Sequence, residues 1–170
     1  MRRAVGWVGV PAVVVGAVVA LSGGGAALAA DAPAEVESSL VEDFAYPGAE
    51  AVLAEHGLKV VTGDGHILFE PAESGRCATG LIQVETLTEV EPFGAVYCFR
   101  TSGARGFLTL EVPNTFLLRG GSKPVEATAQ LPGGVEETYD VPANASVPVE
   151  PGDGSAMPDA ILVELRFGAW

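Results

Sequence analysis

Asp64, His66 and Glu70 are the one grouping of metal-type side chains within a short span of this 170-residue chain. Asp64 and His66 stand two apart on a segment that reads as extended, so both can point to the same side. Zinc takes three or four such ligands, and calcium needs a richer loop of oxygens than one Asp between Gly63 and Gly65. The favoured reading is structural: Asp64 bonds its own backbone in a turn and His66 lies on a strand face. No metal or other cofactor is expected. The competing reading is a small secreted hydrolase, or a metal-dependent protein, that uses His66 and Asp64 with a Ser or carboxylate from another loop.

Other catalytic chemistry finds little support. A Ser nucleophile needs a base, and His56 and His66 are the only histidines. Ser74, Ser102, Ser122 and Ser155 read as turn residues, and none sits in a GxSxG setting. With 22 acidic residues a carboxylate pair is easily found, but none is set apart by apolar neighbours that would raise one pKa. No phosphate-cradling Gly loop and no zinc-type Cys/His spacing occurs. His56 reads as a helix C-terminal residue that suits the dipole. No catalytic residue is assigned on this inventory.

Cys77 and Cys98 are the only cysteines and stand 21 positions apart. In an exported protein an even pair reads as a disulfide, and a loop of that size stabilises by roughly 3 kcal/mol in the chain-entropy model. The export signal is in the sequence. Met1-Arg2-Arg3 precedes an apolar stretch from Ala4 to Leu21, and Ala27-Leu28-Ala29 offers the small residues of a cleavage site. The expected organisation is a signal over 1–29, a flexible acidic leader over 30–42 and one disulfide-stapled domain over 43–170. An uncleaved N-terminal membrane anchor is the alternative to secretion.

All 22 acidic residues lie from Asp31 onward, whereas two of the nine Lys and Arg leave with the signal, so the net charge moves from −13 to −15. Such a charge repels phosphate backbones and anionic headgroups, so nucleic acid and membrane are not expected as partners.

The elements that would position any site are mostly strands. A short helix is predicted from Pro47 to His56, with Gly57 as its stop. Two hairpins are predicted: residues 58–61 with 66–69 across Thr62-Gly63-Asp64-Gly65, and Val96–Arg100 with Gly106–Val112 across residues 101–105. In the second, Leu108, Leu110 and Val112 form the core face, while the facing of residues 96–100 stays open. Further strands are predicted over 80–86, 115–119, 125–131, 135–141, 147–149 and 160–167. The last is the most apolar and is expected at the centre of a sheet, whereas Pro148 marks an edge. Residues 151–158 read as a surface loop. Turn signals at short intervals argue an antiparallel β-sandwich or partly closed barrel with one short N-terminal helix.

Residues 41–48 (VEDFAYPG), Leu53-Ala54-Glu55-His56-Gly57, Gly63-Asp64-Gly65-His66-Ile67 and Cys98-Phe99-Arg100 resemble small, uncharacterised secreted proteins of actinomycetes. The resemblance implies an extracellular bacterial setting and carries no functional residue across. The expected function is therefore binding, with a secreted protein or a cell-surface glycan as partner, through loops or exposed aromatics such as Phe93, Phe116 and Trp170.

Overall fold

A computed structural model describes residues 44–149 and 158–170. The expected signal and leader, and the loop over 151–158 apart from Pro158, lie outside the described residues. Helix α1 (Ala49–His56) precedes ten strands: β1 (Lys59–Gly63), β2 (Ile67–Glu70), β3 (Ile82–Leu87), β4 (Gly94–Thr101), β5 (Gly106–Val112), β6 (Thr115–Arg119), β7 (Val125–Leu131), β8 (Val135–Val141), β9 (Ser146–Pro148) and β10 (Ile161–Phe167). They form two five-stranded antiparallel sheets, in the orders β1-β5-β10-β7-β8 and β2-β4-β3-β6-β9. The fold is an antiparallel sandwich with one short helix, and the sheets do not close into a barrel.

The two predicted hairpins are not hairpins. β1 pairs with β5 in the first sheet, and β2 pairs with β4 in the second. Each Gly-containing loop is an arch that carries the chain from one sheet to the other. The arches run side by side, so β1-β2 and β4-β5 make one two-stranded ribbon folded over the edge of the sandwich. Main-chain bonds follow the ribbon round the bend, from Asp64 N–H to Phe107 O (3.4 Å) and from Ser102 N–H to His66 O (2.9 Å). True hairpins occur at β3-β4 and β7-β8.

One core lies between the sheets. Leu108, Leu110 and Val112 are buried as predicted, and Val125, Ala127 and Ala129 of β7 are buried with them. β10 occupies the centre of its sheet. Strict alternation there would put Leu162, Glu164 and Arg166 on one face. Instead the register shifts between Leu162 and Glu164 against both neighbours, so Leu162 and Leu165 are both buried and Glu164 turns outward. On β4, Phe99 is in the core with Tyr97 packed against it, which leaves Cys98 on the outer face. Cys98 is nonetheless fully buried.

The disulfide explains that burial. The connection from β2 to β3 must pass β4, because the order is β2-β4-β3. Cys77 lies in that connection and bonds Cys98 on the strand being crossed. At the sandwich edge, the Phe69 N–H donates to Tyr46 Oη (2.8 Å), so a buried tyrosine satisfies a strand edge that has no further neighbour. Helix α1 begins two residues later than predicted, because Gly48 takes a left-handed conformation (φ 73°) ahead of Ala49, and it lies on the surface with Ala49 and Val52 touching the core.

Two outcomes follow for stability, both measured by urea unfolding. Replacing Cys77 and Cys98 together by Ser lowers stability by about 3 kcal/mol by releasing the crossing loop. Tyr46→Phe costs about 1 kcal/mol, because the Phe69 N–H loses its acceptor.

Candidate functional site

The Asp64–His66 turn lies in the first arch. Asp64 Oδ1 accepts from the main-chain N–H of His66 (3.0 Å) and of Phe107 (3.2 Å), which ties the first arch to the start of β5. The His66 ring meets the other arch, with Nδ1 3.2 Å from Ser102 Oγ. Gly103 sits directly on that ring: a Cβ there would lie 2.9 Å from Nδ1. Glu70 is engaged elsewhere, 2.5 Å from Arg100 Nε across the β2-β4 pair. Among the described residues no three His, Cys, Asp or Glu side chains come together in a way that could hold a metal ion. The Asp64 carboxylate is thus spent on main-chain groups rather than on the imidazole.

The corner serves to assemble one end of the sandwich. Ser122 N–H donates to Gly80 O (2.9 Å), Gly120 N–H to Ala145 O (2.9 Å), and Lys123 Nζ to Gly103 O. The backbone of Gly168 lies so close to Ala104 and Arg105 that no side chain fits there. Five segments, 78–81, 102–105, 120–124, 142–145 and 168–170, therefore converge. Loops gathered at one end of a rigid sandwich are a common place for recognition.

Trp170 stands out at this end. It is 56% exposed, and its ring meets Phe107 edge-on at 5.9 Å. The Arg105 and Arg166 guanidinium carbons lie 5.0 and 5.3 Å from the indole centroid, within cation–π range. Phe44 extends the aromatic row on the far side of Phe107 (5.9 Å). Arg166 is also held by Glu164, with Nη2 donating to Oε2 (3.0 Å). That hydrogen bond, backed by the charges of Glu164 and Glu126, raises the Arg166 pKa above its ordinary value.

Beside Trp170 opens a groove of about 670 Å³. Pro124, Pro142 and Ala169 give it an apolar lining, and Glu126 and Asp140 add two carboxylates. These two acids are directly opposed across the β7-β8 ladder. Like charges so placed repel. Arg166, opposite Glu126 on β10, offsets one of them, whereas Asp140 has no cationic partner among the described residues. The groove thus offers an aromatic wall, an apolar floor and two fixed carboxylates, with the Arg105 and Arg166 guanidinium groups stacked near its indole.

Of the three aromatics singled out in the sequence, Trp170 lies at the groove, Phe93 is exposed at the opposite end in the β3-β4 turn, and Phe116 is partly buried. Glu126 and Asp140 fall within the strands predicted over 125–131 and 135–141 and are not among the site candidates of the sequence. The signal that could have found them is their pairing across the Pro132-Gly133-Gly134 turn, which predicts two acids side by side. Asp64→Ala leaves the His66 and Phe107 N–H groups without an acceptor and is expected to cost about 2 kcal/mol in urea unfolding, with His66→Ala costing under half of that. An equal cost for the two would contradict the division of roles described for the corner.

No known protein family matches this chain, and a search of curated proteins returns no match.

Proposed function

We propose that the chain is an extracellular binding module that holds a cell-surface glycan in the groove beside Trp170. The observation that carries this reading is the groove itself. An open, mostly apolar concavity with an exposed indole and a few fixed polar groups is the usual form of a small-ligand site. A sugar ring presents an apolar C–H face and a rim of hydroxyls. The indole and prolines suit the first, and the Glu126 and Asp140 carboxylates can accept from the second. The sandwich supplies rigidity, since the groove stands on β7, β8 and the end of β10. Secretion is part of the proposal and rests on the signal-like residues 1–29 and the resemblance to secreted actinomycete proteins.

The hydrolase alternative has the His66–Ser102 contact in its favour. It lacks a carboxylate on the imidazole, because Asp64 is bonded to main-chain N–H groups. Binding is the better-supported reading.

Trp7 and Trp170 are the only tryptophans, so in a Trp7→Phe chain all indole emission comes from the groove. Titration with soluble cell-wall oligosaccharides is expected to shift that emission saturably. By calorimetry, Trp170→Ala should weaken binding at least tenfold with an unchanged unfolding midpoint. Saccharide binding that leaves the Trp170 emission unmoved would contradict this site, and binding of a protein but no saccharide would replace the glycan with a protein partner.

A further inference from the structure

A second, smaller concavity lies on the other side of the same end of the sandwich, beside the disulfide. Its volume is about 180 Å³, and its lining includes Cys77, Thr79, Gly80, Gln83, Arg119 and Asn144. We infer that this pocket binds the carboxylate of a small organic acid or an acidic sugar, with the Arg119 guanidinium as its principal contact.

The first support is charge. In a chain with 22 acidic residues and nine Lys and Arg, Lys59, Arg100 and Arg166 each have a carboxylate within 4 Å. Arg119 has none among the described residues. Its neighbour on β3 is Gln83, which donates its own amide to Glu85 (2.6 Å) and so occupies the acid two residues along that strand. An Arg left without a carboxylate on so acidic a domain can receive one from outside. Its planar fork matches a carboxylate in two parallel hydrogen bonds.

The second support is the supply of further donors. Thr79 and Gly80 are the central residues of a turn closed by Leu81 N–H to Ala78 O (3.3 Å), and neither of their N–H groups has an acceptor among the described residues. Thr79 adds a hydroxyl and Asn144 a carboxamide. The frame is fixed before any ligand arrives. Cys77 is bonded to Cys98, Ser122 N–H holds Gly80 O, and Asn144 N–H donates to Gly120 O (3.2 Å) and Gly121 O (2.9 Å) while its backbone is left-handed (φ 57°). A pocket so held needs little reordering on binding. Its volume equals that of about six water molecules, enough for a carboxylate and a few attached atoms.

The test is amide NMR on the purified ¹⁵N-labelled chain at low salt, titrated separately with acetate, glucuronate and glucose. Acetate and glucuronate should move the Thr79, Gly80 and Asn144 amides saturably, and glucose should not. Arg119→Gln should weaken both acids at least tenfold with an unchanged unfolding midpoint, whereas Lys59→Gln, which removes the same charge elsewhere, should leave both titrations as they were. Equal affinities for the two acids would mark a bare carboxylate pocket, and tighter glucuronate would mark an acidic-sugar pocket. Absence of a saturable shift, an equal response to glucose, or unaltered binding in Arg119→Gln would overturn the assignment.

Discussion

The Asp64 carboxylate, bonded to the main chain on both sides of a corner, is the contact on which the rest of the architecture depends. A chain that leaves one sheet for another must break its ladder, and buried main-chain groups at the break cost free energy unless something satisfies them. Here two arches cross together and hydrogen-bond to each other, and a single side-chain oxygen takes the two N–H groups that the bend leaves over. Gly106 lies at the tightest point, where a Cβ would meet His66 Cβ at 2.6 Å and Phe167 Cε1 at 2.7 Å. The corner thereby locks the start of β5 against the end of β10. From that junction the chain runs on to Trp170.

Charge is distributed along the same axis. Glu89 and Glu91 in the β3-β4 turn, Glu111 near the end of β5, and Glu136 and Glu137 after the β7-β8 turn stand at the end away from the arches. Arg105, Arg119 and Lys123 stand at the arch end, and none has a carboxylate partner among the described residues. Both concavities open there. Glu126 and Asp140 also stand at this end, in the larger concavity, so the arch end is mixed in charge and joins aromatic, basic and acidic groups that can hold a hydroxyl-rich or carboxylated ligand. Such a distribution is hard to see in the net charge alone.

Strand positions and facing were largely legible in the sequence, because alternation is a local property. Leu108-Leu110-Val112 and Val125-Ala127-Ala129 show their core faces directly. Pairing was not legible for the arches, because a Gly-containing polar loop between two apolar runs looks the same whether the chain folds back in one sheet or crosses to another. The choice depends on β10, about sixty residues downstream, which takes the place beside β5 that β4 would have held. The facing of Cys98 was hidden for a similar reason, since its cover comes from the crossing loop. For the candidate sites, Trp170 could be named from its residue type, but Glu126, Asp140 and Arg119 gain meaning only where separate strands end together.

Amide hydrogen exchange at the corner tests the paired-arch architecture most directly. If Asp64 joins the arches as described, the Phe107 and His66 amides exchange only with the opening of the core and at rates comparable to those of Leu108 and Leu165. Exchange of those two amides at the rate of an open surface loop, with the core still protected, would contradict the paired corner and the assembled end that stands on it.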